Sequence, residues 1–144
     1  MGEWCDARFV ILKHEPGDHL RRTEEIHFDW MFEIAGSLRT FSTDCLDLNS
    51  TGLTKSLSCE SLMDHRLDYL NLRGDIGRDL GCVVEVASGT FEILQNQAEQ
   101  LQVIMEGSAN HHHFRANANF LKATKESERD QFNTAWQLDL SILD

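Results

Sequence analysis

The chain has 144 residues, of which 41 % are hydrophobic and 26 % charged, with one proline and nine glycines. That is one domain's length, 1–144, with enough apolar residues for a substantial core, which excludes a disordered chain. Asp and Glu number 24 against 13 Lys and Arg, a formal charge of −11, which excludes a broad basic groove for long nucleic acid but not a small site for one phosphate or strand end.

Arg8 to Lys13, RFVILK, reads as a first strand, stopped by Pro16 and Gly17. His27 to Ile34, HFDWMFEI, has the clearest alternation. Phe28, Trp30, Phe32 and Ile34 share one face, and His27, Asp29, Met31 and Glu33 share the other. The pattern predicts that the aromatic face packs in a core. Gly36 starts a turn into a second hairpin arm, Leu38 to Thr43, and Asp44 to Ser61 reads as polar and mixed, with loop signals at Asn49, Ser50 and Gly52. Cys82 to Ala87 is a further strand, Ser88-Gly89 a tight-turn candidate, and Thr90 to Leu94 the strand after it. Asn96 to Met105 fits a helix by propensity and a strand by its LQVIM run. Leu101 to Glu106 and His113 to Phe120 form a candidate pair across Gly107, Lys122 to Gln131 reads as an exposed loop or short helix, and Trp136 to Ile142 is a last strand. The expected fold is all-β: a small closed or nearly closed β-barrel of about six to eight mainly antiparallel strands with short helical segments.

No apolar run approaches the roughly 20 residues that span a bilayer. The opening MGEWCDARFV lacks the basic and apolar regions of a secretory signal. Cys5, Cys45, Cys59 and Cys82 contain no CxxC pair. Reduced thiols in a cytoplasmic protein are therefore expected, without a membrane.

The candidate chemistry lies in histidines and carboxylates. His27 and Asp29 sit on one strand face, about 6–7 Å apart at their α-carbons. That spacing lets one ion sit between an imidazole nitrogen and a carboxylate oxygen. His14 supplies a second nitrogen if the first two strands pair. Such a set suits manganese, iron or zinc, and the plainer alternative is a wetted sheet face. Glu33 lies farther along that face and reads as a surface or supporting group. In Asp64-His65-Arg66-Leu67-Asp68-Tyr69, His65 and Arg66 can both meet a phosphate, and Tyr69, the only tyrosine, can orient one through its hydroxyl. The alternative there is a surface turn with one packed ring. His111, His112 and His113 point in alternating directions in an extended chain, which is poor geometry for one ion. His19 belongs to a local basic loop with Arg21 and Arg22, and Trp4, Trp30 and Trp136 read as packing residues.

Taken in order, HFDWMFE followed by LRTF resembles the HxDxxxE strand and hairpin of the 3′-phosphoesterase domain attached to bacterial end-joining DNA ligases. RFVILKHE resembles that family's preceding strand, and DHRLDYLNLRGDIG its DHPLDYxxFEG segment. VEVASGTFEIL, GSANHHHFRANAN and WQLDLSI resemble the later strands, so the match runs in order across most of the chain, closest to short stand-alone relatives.

The resemblance implies a barrel that uses manganese, with zinc, cobalt or magnesium as alternatives, to trim DNA 3′ ends. It implies removal of a terminal ribonucleoside and then a 3′-phosphate. His14, His27 and Asp29 take the family's metal positions, His65 the phosphate-contacting position and Tyr69 that of its tyrosine. Apart from the resemblance, one basic group, Arg66 or Arg78, the latter in GDIGRDLG near a glycine-flexed loop, is the candidate to hold the remaining phosphate oxygens. The expected partners are DNA 3′ ends and a DNA ligase, with the protein itself a monomer.

Three departures stand out. Met31 occupies the place of an arginine, as in short stand-alone relatives. Twelve residues separate His14 from His27, more than in the ligase domains, through PGDHLRRTEE. Arg73 replaces the acidic residue of FEG. The rival readings are a phosphate or nucleic-acid-end binding module with weak or no turnover, and a protein-interaction barrel.

Overall fold

A computed structural model of the protein describes residues 7–15, 26–48, 54–71, 74–75, 82–123 and 135–143. Within them the order is β1 (Arg8–Glu15), β2 (His27–Ile34), β3 (Ser37–Thr43), β4 (Thr54–His65), a 3-10 turn (Leu67–Leu70), β5 (Gly74–Asp75), β6 (Cys82–Gln97), β7 (Gln100–Ala109), β8 (His112–Lys122) and β9 (Ala135–Leu143). Every pairing is antiparallel, in the spatial order β1-β2-β3-β4-β9-β8-β7-β6, and β6 pairs back onto β1. Eight strands thus close into a ring, and the two-residue β5 adds to β6 beside it. Each ring strand has a neighbour on both sides, which removes the open edge that would recruit another chain. No described helix is long and apolar enough to cross a membrane.

Alternation explains the interior. Phe9 and Ile11 of β1, Trp30 and Phe32 of β2, Phe41 of β3, Cys59 of β4, Phe91 of β6, Val103 of β7, Phe120 of β8 and Leu138 of β9 belong to one buried cluster to which all eight ring strands contribute. Phe120 stacks on Phe41 at 4.1 Å between centroids and meets Trp30 edge-on at 5.9 Å. These offset and edge-on arrangements are the ones aromatic quadrupoles favour. The expected packing of β2 holds: Trp30 and Phe32 are fully buried, and Phe28 packs against the same cluster. Trp136 is buried there too, while Trp4 lies outside the described residues.

The opposite face of β1 and β2 is also covered. Val10, Leu12, Met31, Leu38, Leu70 and Val83 form a second buried cluster with Tyr69 packed against it. The 3-10 turn therefore lies over the outside of β1, β2, β3 and β6 and shields part of the face that carries His27 and Asp29.

Several turn expectations are corrected. Ser88-Gly89 is not a turn: β6 runs unbroken from Cys82 to Gln97. Gly107 does not divide two strands either, because it lies inside β7 directly opposite Gly89. A Cβ on either glycine would overlap backbone of the other strand, so the pair serves close approach rather than reversal. The real turn is Asn110-His111, both with positive φ, the geometry of a tight two-residue hairpin. Ala35-Gly36 makes the same kind of turn between β2 and β3. Asn96 to Met105 is strand, turn and strand rather than helix, and much of Asp44 to Ser61 belongs to β4. Cys45, Cys59 and Cys82 are free thiols, as expected, with Cys59 buried and Cys82 half-buried. Residues 124–131 of the expected exposed loop, and Cys5, lie outside the described residues.

Candidate metal centre

β1 and β2 pair so that His14 stands directly opposite His27 and Leu12 opposite Asp29. Two facts of strand geometry then bring the donors together. Residues two apart share a face, and directly opposed residues have adjacent Cβ atoms. His27 Nε2 lies 3.3 Å from His14 Nδ1 and 3.4 Å from Asp29 Oδ1. One donor atom from each of the three residues lies within 4.8 Å of the other two. It is the only such group of three or more metal-ligating side chains among the described residues.

The chemistry of this set is that of a divalent-cation site. Asp29 is 6 % exposed. Its Oδ1 is buried without a hydrogen-bond partner. Its 3.4 Å approach to His27 Nε2 is an ion pair only when that imidazole is protonated. An unsatisfied buried carboxylate oxygen costs a desolvation penalty of about 1–3 kcal/mol or more. Beside it, His14 Nδ1 and His27 Nε2 face each other, and a single proton at most can lie between them. Donors sharing one ion at about 2.1 Å stand roughly 3.0–3.4 Å apart at octahedral to tetrahedral angles. These two separations fit that range and the third donor pair lies within 4.8 Å, so the residue types and their spacing fit a bound metal.

The surroundings follow from the register. Ser42 of β3 lies opposite Asp29, and Val83 of β6 lies opposite His14. Met31, two residues on from Asp29, is 1 % exposed within the second cluster. Glu33 accepts a hydrogen bond from the Arg8 backbone N–H at 3.3 Å, in the surface role expected of it.

His65, Arg66 and Tyr69 lie elsewhere on this side of the sheet. Leu38 is opposite both Glu33 and His65. His65 is thus two strands over and level with Glu33, roughly 16 Å from Asp29 between α-carbons by strand rise and spacing. Its ring meets Tyr69 edge-on at 4.8 Å, and its Nδ1 lies 3.0 Å from the Met63 carbonyl oxygen. A carbonyl only accepts, so Nδ1 carries the proton and donates. Arg66 is exposed and precedes the 3-10 turn. The fold brings His65 and Tyr69 together and, separately, the three metal donors together, and Tyr69 packs against the second cluster. Arg73, Arg78, His19 and the insert PGDHLRRTEE lie outside the described residues.

Of the triple histidine, His113 Nε2 lies 3.2 Å from Glu106 Oε2 and His111 forms the turn. A residue that sequence patterning misses is Glu85, which shares the face of the metal donors through an irregularity in β6. No protein-family model and no curated protein matches the chain.

Proposed function

We propose that this protein is a metal-dependent phosphoesterase that processes 3′ ends of DNA, removing a terminal 3′-ribonucleoside or 3′-phosphate. The observation that carries the reading is the convergence of His14, His27 and Asp29, with a buried carboxylate oxygen left without a donor. The choice of substrate rests on the ordered resemblance of RFVILKHE, HFDWMFE and DHRLDY to the ligase-associated 3′-phosphoesterases. Manganese suits two nitrogens and an oxygen, with zinc, cobalt and magnesium as alternatives.

When bound, the ion would supply positive charge to a phosphate oxygen and acidify a coordinated water. The chain's own groups do the rest. His14, His27 and Asp29 hold the cation on a rigid pair of strands. His65 keeps its Nδ1 proton on the Met63 carbonyl, which leaves Nε2 for the phosphate or the departing group. Tyr69, fixed edge-on against that ring, offers its hydroxyl to the same ligand. Arg66 or Arg78 supplies the cation for the remaining oxygens. The site is local, in keeping with a charge of −11. Such a protein acts in the cytoplasm, as a monomer, on an end that a DNA ligase then seals.

One observation favours a second reading, an end-binding module with weak or no turnover. Met31 is sealed into an apolar cluster where the family has an arginine. The deciding assay uses labelled strands ending in a 3′-ribonucleoside or a 3′-phosphate, with and without manganese. The phosphoesterase reading expects product only with metal, and His65→Ala should cut turnover about 10²–10⁴-fold while leaving metal binding intact. No product with any divalent ion selects the binding module. Undiminished product from His65→Ala keeps an enzyme but removes His65 from its chemistry.

A further inference from the structure

We propose that Glu85 is a fourth protein donor of the metal centre, closing onto the ion as a second carboxylate. This deepens, and rests on, the metal reading of His14, His27 and Asp29. The pairing of β1 with β6 slips by one residue between Ile11 and Leu12: Ile11 faces Ala87, but Leu12 faces Glu85. Val86 is the extra residue. Without it, Glu85 would stand opposite Lys13 and share a face with the interior. With it, Glu85 stands opposite Leu12, and Val83 opposite His14. The burial pattern follows the slip: Val86 and Ala87 both join the interior cluster, while Val83 joins the outer one with Leu12. A bulge of this kind re-aims side chains, and such bulges recur beside functional sites.

The re-aimed carboxylate is well placed. Leu12 separates Glu85 from Asp29 in one cross-strand row, and His14 is its diagonal neighbour on β1. Diagonal neighbours stand roughly 7–8 Å apart, within reach of a long side chain. Glu85 is exposed and its carboxylate lies outside the His14, His27 and Asp29 group, so it joins the ion only by turning towards it. Charge makes the case specific. Two neutral imidazoles and one carboxylate leave a divalent ion with a net positive charge, and a second carboxylate cancels it. The added oxygen also shifts preference towards manganese, because carboxylates suit harder ions while imidazoles suit zinc.

Calorimetric titration of the full chain with manganese and separately with zinc tests this. Glu85→Gln should weaken manganese at least about tenfold and zinc less, with an unchanged urea midpoint, and Glu85→Asp should fall between. Glu92→Gln, an exposed carboxylate on the same strand, should change neither. Affinity in Glu85→Gln within twofold of wild type for both metals overturns the proposal and leaves the three-residue site standing. So does an equal loss for both metals. Failure of the wild type to bind either metal overturns both.

Discussion

At the scale of single residues, Met31 shows how a substitution that looks electrostatic is settled by packing. On charge alone, an arginine placed at position 31 would strengthen the proposed phosphate site. Met31, however, is 1 % exposed among Val10, Leu12, Leu38, Leu70 and Val83. A guanidinium there must lose its water or push the 3-10 turn off the sheet. Met31→Arg should therefore destabilise by about 3 kcal/mol or more, and should lower rather than raise activity on 3′-phosphate ends. Met31→Leu should cost less than about 1.5 kcal/mol. Urea melts of both variants, read beside the strand assay, check this; a stable and more active Met31→Arg would restore the charge argument. Cys59 obeys the same logic: burial pushes its thiol up to about 12, although the Arg39 charge pulls the other way. Arg39 itself stacks over Phe41 at 4.2 Å and donates to Ser61, and burial lowers its pKa despite the Asp64 charge.

Among the elements, β6 and β7 carry the feature that the sequence disguises. Gly89 and Gly107 look like turn residues, yet they face each other inside two paired strands. Gly107→Ala would drive a methyl into the Ser88 carbonyl oxygen, a backbone atom that cannot swing away. The substitution should cost at least about 2 kcal/mol in a urea melt, well beyond the usual effect of glycine to alanine in a strand. A neutral result would mean that these strands do not approach closely. The contrast with β2 explains what was legible. HFDWMFEI states its own geometry because alternation is local, and it yielded both the buried aromatics and the His27–Asp29 face. His14 was conditional on β1 pairing with β2, and the register supplied that pairing. The closure of β6 onto β1, the slip at Val86 and the Gly89–Gly107 contact depend on partners some 20 to 80 residues away along the chain, roughly, which no local period records. The cover over Met31 belongs to the same class, since it needs the Leu67–Leu70 turn to fold back across β1 to β3.

For the whole molecule, the ring uses its two faces differently. The inside is an aromatic and aliphatic core that fixes the strands, and the outside of β1 and β2 presents donors on that rigid support. The Asp29 Oδ1 oxygen is buried without a hydrogen bond, a cost that a bound cation would offset. The central claim is therefore that His14, His27 and Asp29 hold one divalent ion. Calorimetric titration with manganese, of the wild type and of a variant carrying both His27→Ala and Asp29→Ala, tests it most directly. The account predicts one ion per chain for the wild type, a loss of at least about 100-fold in the variant with the fold retained, and affinity that declines as the buffer is acidified, because protons compete for the imidazole nitrogens. Unchanged manganese affinity in the double variant, or no binding by the wild type, would contradict it.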